Sequence, residues 1–224
     1  MNMYKRVEPN ALAAAMKPAQ DRLLVVDFDE TLWLRNSTEE FLASVRPVVL
    51  AASVLWILDR LRPWRIIGGR RGAEIYKDWM RVLAVVLVAP WSLRVWEREA
   101  ANRGRRHANL TLEVMIREAS PCEVVVLSNG YQRIIGPLLV DLPLENVRLV
   151  ASPLLRGAQW RRLGKQRIAE DRFPKDMLDH ATLVTDHVTD QDLLNRVGNG
   201  LLCVWPNARY RRAFRKRPVA TSRR

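Results

Sequence analysis

Short apolar runs separated by amphipathic stretches dominate the chain. Five of them, residues 22–27, 122–128, 147–152, 181–186 and 200–205, are rich in valine and leucine. Runs of this length and composition predict strands buried on both faces, as in a parallel sheet. Helical patterns at 134–139, 166–170 and 192–197 each follow such a run and a turn. This alternation predicts an α/β fold built on a doubly wound, Rossmann-like sheet of five parallel strands.

The interval between the first two strands breaks the rhythm. It runs from residue 28 to 121, too long for a crossover helix, and it carries Trp56, Trp64, Trp79, Trp91 and Trp96. Pro47, Pro63 and Pro90 are the expected helix breaks within it. We expect residues 34–104 to form an inserted helical cap on a core made of 1–33 and 105–224, with a helix over 109–119 leading back to the core. No internal repeat interrupts this plan.

Composition narrows the classes. The chain has 224 residues, 48% of them hydrophobic, enough for a buried core and inconsistent with disorder. Two cysteines, Cys122 and Cys203, both read as small core residues, so neither a disulfide framework nor a cysteine metal site is expected, and a reducing compartment fits. At the N-terminus the apolar stretch 11–16 is too brief for a secretory signal and is followed by Lys17 and Pro18. The expectation is a cytoplasmic protein. The apolar runs 47–58 and 82–91 fall short of the roughly 20 residues that cross a bilayer.

The formal charge of +13 is clustered: Arg60, Arg62, Arg65, Arg70 and Arg71 in one stretch, Arg94, Arg98, Arg103, Arg105 and Arg106 in another. From residue 207 onward there are eight basic residues and no acid, which reads as a mobile cationic tail. Such charge attracts polyanions or anionic lipid. Nucleic acid is not the expected partner, because no aromatic stacking platform or nucleic-acid motif accompanies the arginines.

The chemistry concentrates at strand ends. The first strand closes in Asp27-Phe28-Asp29-Glu30-Thr31, two carboxylates two positions apart where open α/β sheets bind ligands. One carboxylate can attack phosphorus while its neighbour donates a proton to the leaving oxygen, and repulsion between them raises a pKa as that role requires. An acidic turn after a strand is common, so the pair alone is a weak signal. The second strand ends in Ser128-Asn129-Gly130, a hydroxyl and backbone amides at an expected helix start, suited either to capping or to a phosphate oxygen. Lys165 precedes the fourth strand in a chain whose 37 basic residues include only six lysines. It reads as a phosphate ligand or as a solvated helix-start residue, with Lys175 as its rival. The fourth strand ends in Thr185-Asp186-His187-Val188-Thr189-Asp190. Asp186, closing a buried strand, needs a cation or donors, whereas Asp190 could be a first-turn acid and His187 a loop residue. Three scattered histidines give no zinc site.

Taken in order and spacing, Asp27-Phe28-Asp29-Glu30-Thr31, Ser128, Lys165 and the pair Asp186 and Asp190 resemble the four motifs of haloacid dehalogenase superfamily phosphatases, over about two thirds of the chain. The insertion resembles the helical cap of the phosphoserine phosphatase branch, and its basic, apolar character is similar to phosphatidylglycerophosphate phosphatases and to domains fused to membrane prenyltransferases. The resemblance implies a strand order that makes the first, second and fourth strands neighbours, so that the motifs converge. It implies Asp27 as nucleophile, Asp29 as acid and then base, and Mg2+ on Asp27, the backbone carbonyl of Asp29, and Asp186. Ser128, Asn129 and Lys165 would hold phosphoryl oxygens, with Thr31 and Asp190 supporting them. Three positions depart from the pattern: Glu30 and Thr185 stand where glycine is usual, and Asn129 where a smaller residue is.

Substrate choice is less legible. Tryptophans and arginines beside apolar runs suit a helix in a membrane interface, so the expected substrate is a lipid or prenyl phosphate monoester and the expected location peripheral at an anionic membrane surface. A hydrophobic cap core with a solvated basic face is the alternative, implying a soluble, phosphoserine-like metabolite. A non-catalytic accessory of a membrane prenyltransferase is a third reading.

Overall fold

The computed structural model describes residues 4–208 apart from 21, 70, 71, 141, 145 and 146. Arg70, Arg71 and the basic tail from Arg209 onward therefore lie outside the described residues. The strands are β1 (Lys5–Arg6), β2 (Leu23–Val26), β3 (Glu123–Tyr131), β4 (Val147–Ser152), β5 (Thr182–Thr185) and β6 (Asn199–Leu202), all parallel in the order β1-β6-β5-β2-β3-β4. The sheet thus has six strands rather than five. The additional one is a two-residue edge strand of exposed Lys5 and Arg6, with no apolar run to announce it. The stretch 11–16 belongs to helix α1 (Pro9–Met16), which buries Leu12 and Met16.

All four residues of β2 are buried, because alternate side chains enter two separate cores. Leu24 and Val26 pack with Val124, Val126 and Val184 on one face, against Leu12 and Met16 of α1 and Leu112 and Ile116 of α7 (Leu110–Ala119). Leu23 and Val25 pack with Val125, Leu127 and Leu183 on the other, against Ile168 of α9 (Gly157–Arg172) and Leu193 and Leu194 of α11 (Gln191–Arg196). Each fully buried aliphatic side chain contributes roughly 1.5–3 kcal/mol. Strand β2 is central, between β3 and β5.

Between β2 and β3 the chain forms α2 (Ser37–Ser44), α3 (Val48–Leu61), α4 (Pro63–Gly68), α5 (Gly72–Val88) and α6 (Ser92–His107) before α7. Pro47 precedes the first residue of α3, Pro63 is the first of α4, and Pro90 lies between α5 and α6, as expected of a residue that lacks an amide donor. Two tryptophans tie these helices to the rest. Trp96 donates to the Ile134 carbonyl at 2.9 Å, and Trp79 to the Leu154 carbonyl at 2.9 Å. Asp78 and Arg161 pair at 3.1 Å across α5 and α9.

The tryptophans do not behave alike. Trp64 and Trp96 are buried, whereas Trp56 and Trp91 are exposed. The 82–91 run is divided, with Val82, Val85 and Ala89 buried and Leu87, Val88 and Trp91 exposed. Among the described residues no single helix is long and apolar enough to cross a membrane, and the one pair that qualifies by length and composition, 72–88 with 91–107, is bent by 107°. Cys203 is buried but Cys122 is exposed, since β3 begins one residue later.

Candidate active site

The carboxyl ends of β2, β3 and β5 bring the chemistry together. Asp27 follows β2 directly, and its amide still donates to the Val184 carbonyl of β5 at 2.9 Å, so the ladder itself fixes its place. One carboxylate oxygen, Oδ1, accepts from the Phe28 amide at 2.8 Å. The other, Oδ2, lies 2.8 Å from Lys165 Nζ. Lys165 is buried, and its Nζ also meets Asp190 Oδ2 at 2.7 Å. The lysine arrives through a break in α9. Gly164 has φ 78 and ψ 156, a left-handed backbone open to glycine, and the helix restarts at Lys165. Lys175 is exposed at the start of α10 (Lys175–Asp179) and takes no part.

Thr31 and Asp186 interlock across 155 residues of sequence. The Thr31 hydroxyl donates to Asp186 Oδ1 at 2.9 Å, and the Asp186 amide donates to the same hydroxyl at 3.1 Å. Asp186 Oδ2 is buried with no partner. A buried carboxylate oxygen of this kind wants a cation. Asp29 turns elsewhere, its Oδ1 accepting from the Ser37 amide at the start of α2.

Ser128 is a correction. It lies within β3, and α8 (Gln132–Leu139) starts only at Gln132, so Ser128 caps no helix. Its Oγ instead accepts from the Gly130 amide at 2.9 Å, where the β3–β4 register shifts. A Cβ on Gly130 would sit 2.6 Å from Ile135 Cδ1, 3.1 Å from Asp29 Oδ2 and 3.2 Å from Ser128 Oγ. Glycine here lets the end of β3 close onto Asp29. Asn129 Oδ1 is buried beside it without a partner.

Four carboxylates face one lysine, and the titration of the site reflects it. Burial raises Asp27, partly opposed by Lys165 and reinforced by Asp190. Burial raises Asp29 to about 6, with hydrogen bonds from Ser37 working against it. Asp186 is raised well above the usual range by burial first and by Asp27 next. For Lys165 burial lowers the pKa, but Asp190 and Asp27 outweigh it and the net displacement is upward. The lysine is therefore an ammonium at any working pH, and the acids are short of positive charge.

Two of the three unusual positions have a structural account. Glu30 adopts φ 64, the left-handed region that glycine enters freely and other residues enter at a cost of about 1–2 kcal/mol. Thr185, fully buried, places its hydroxyl 2.8 Å from Asp190 Oδ2 and 3.3 Å from Asp27 Oδ2, where glycine would offer nothing. It positions the carboxylates that bracket Lys165. Thr185→Val should accordingly lower kcat of a reaction run at this site by about 10- to 100-fold with little change in KM, and Thr185→Ser should recover most of it. Full activity in the valine variant would remove the hydroxyl from the account.

Sequence reading did not single out Ser37, whose amide orients Asp29, or the part played by Thr185. The Asn36-Ser37 pair is a helix-start signal, and the Asn36 side chain caps α2 by accepting from the Glu39 amide at 3.1 Å. Nothing local said that the next amide would face a carboxylate eight residues back.

Among the described residues no group of three or more His, Cys, Asp or Glu side chains is arranged to hold a metal. A magnesium here would rest on two carboxylates, a backbone carbonyl and water, an oxygen set that this ion accepts. Asp27 and the unpartnered Asp186 Oδ2 fit that requirement. No model of a known protein family matches the chain, and no curated protein matches it.

Proposed function

We propose that the chain is a magnesium-dependent phosphomonoesterase of the haloacid dehalogenase type, working through an aspartyl phosphate on Asp27. One observation carries the reading. Asp27, Ser128, Lys165 and Asp186, from four distant segments, converge at the carboxyl edge of one sheet, with Lys165 Nζ 2.8 Å from Asp27 Oδ2. A structural ion pair explains Lys165 with Asp190, but not the second and third buried carboxylates that stand short of charge.

In the first half-reaction an Asp27 carboxylate oxygen attacks phosphorus. The bond from phosphorus to the leaving oxygen breaks, and that oxygen takes the proton from Asp29. A pKa of about 6 leaves Asp29 able to give and retake a proton near neutrality. Lys165, which donates to Asp27 and Asp190, turns one of its three N–H donors to the phosphoryl oxygens, joined by the Ser128 hydroxyl and Asn129. In the second half-reaction Asp29 takes a proton from water as the water oxygen attacks phosphorus, freeing inorganic phosphate and restoring Asp27. Magnesium on Asp27, the Asp29 carbonyl and Asp186 would supply the charge that neutralises the phosphoryl oxygens. The substrate class we infer is a lipid- or prenyl-linked phosphate monoester, on the strength of the exposed apolar helices.

The metal half of the reading has its own test, with a sign set by titration. Asp186 holds its proton more tightly folded than unfolded. Its stabilising contribution to metal-free protein is therefore full below about pH 4 and lost as pH rises through the raised folded value. The thermal midpoint of metal-free Asp186→Asn should thus exceed that of wild type by a margin that widens with pH. Magnesium at neutral pH should raise the wild-type midpoint and leave the variant unmoved. An equal magnesium response in both would contradict the assignment of Asp186.

A further inference from the structure

Helix α3 is apolar on nearly every side, yet only one of its 14 residues, Ala51, is buried. Helices with so little polar surface belong in a core or against lipid, because a solvated face normally carries charges. The only charges in α3 are Asp59 and Arg60. At helical spacing Val49, 76% exposed, and Trp56, 69%, share one outward stripe, and Leu61, 67% exposed, closes the helix. The αL residue Arg62 turns the chain into α4, which continues the apolar edge with Ile66, 85% exposed, and Ile67. Both helices pack on α5, and one crevice joins the end of α3 to α4.

The charge around this edge is mostly positive. Arg60, Arg62 and Arg65 are exposed. A cavity of about 310 Å³ between α3, α4 and α5 is lined by Asp59, Arg62, Trp64, Arg65, Ala73 and Lys77. Lys77 Nζ sits 5.8 Å from the centre of the Trp64 ring, and Asp59, the one acid, is paired with Arg81 at 3.7 Å. Three cations beside a wide apolar ridge match an anionic headgroup above acyl chains.

We propose that α3 and α4 dock the protein on an anionic bilayer, with Val49, Trp56, Leu61, Ile66 and Ile67 entering the headgroup–acyl boundary. The Arg62, Arg65 and Lys77 crevice takes a lipid phosphate. A second copy of the chain is a poorer occupant, because a two-fold contact through this face sets arginine against arginine. The docking surface goes beyond the chemistry at Asp27, and binding reads it without turnover, so either claim can fail alone.

The test is flotation of the full chain with phosphatidylcholine vesicles, with and without phosphatidylglycerol, at low and high salt. Binding should rise with the phosphatidylglycerol fraction and fall, though not to zero, at high salt. Arg62→Ala with Arg65→Ala should weaken binding to the anionic vesicles about tenfold or more and change binding to neutral vesicles little. Trp56→Glu with Ile66→Glu, exposed sites where the fold tolerates charge, should remove the salt-resistant part at an unchanged thermal midpoint. Protein that stays unbound beside phosphatidylglycerol-rich vesicles at low salt overturns the proposal. Self-association abolished by Trp56→Glu, without vesicle binding, overturns it in favour of a second copy.

Discussion

Asp27→Asn should lower magnesium-dependent hydrolysis of an aryl phosphate by at least about a thousandfold in kcat. The amide is no nucleophile toward phosphorus and a poor oxygen donor to magnesium. The fold has little reason to fail. Phe28 keeps an oxygen to donate to, Lys165 keeps Asp190 at 2.7 Å, and burial already disfavours the Asp27 charge. Loss of activity at a preserved thermal midpoint is therefore the expected pairing. Turnover within a few-fold of wild type would remove Asp27 from the chemistry.

Lys165→Ala is the second large effect, and it falls on activity and stability together. Activity should drop by about 10²–10³, the usual cost of removing a donor aimed at developing charge. Stability should drop by about 3–5 kcal/mol, because Asp190 and Asp27 would be left buried without their cation. Lys165→Met retains the packing but not the cation, so activity and stability should fall together there as well. Lys175→Ala, at an exposed helix start, should leave activity unchanged and stability within about 0.5 kcal/mol. The reverse order would put the phosphate-binding lysine ten residues later, and the 2.8 Å contact with Asp27 would be a structural pair only.

The parts of the fold written in continuous apolar runs were legible. Leu23–Val26 and Thr182–Thr185 are strands because every side chain in them is buried in a sheet covered on both faces, and Val147–Ser152, at the edge, is buried over its second half. Lys5–Arg6 could not be read, since its pairing with β6 comes from tertiary proximity and not from its own residues. The helix after β3 starts a few residues later than expected, because Leu127-Ser128-Asn129-Gly130 carries the punctuation of a helix start while β3 runs on to Tyr131 through a shift of register.

The site was legible residue by residue but not in its connections. Asp27, Asp29, Lys165 and Asp186 stand out as charges beside apolar strands. That Thr185 joins Asp27 to Asp190, or that Ser37 holds Asp29, depends on distances no local pattern encodes. Hydrophobicity likewise could not say which tryptophans face out. Trp56 lies between Leu55 and Ile57 and Trp64 between Pro63 and Arg65, yet it is the tryptophan in the more polar stretch that the packing of α4 on α5 buries.

The central claim is a covalent bond between Asp27 and phosphorus, and rapid acid quench tests it most directly. The reagent is an aryl phosphate labelled in its phosphoryl group, mixed with magnesium and the Asp29→Asn variant. An aryl leaving group needs little acid assistance, so formation of the intermediate should persist while its hydrolysis, which needs Asp29 as base, slows. Label is expected on the peptide that contains Asp27, and none when Asp27→Asn is added. Inorganic phosphate released with no protein-bound label in either protein, or label on another residue, would contradict it.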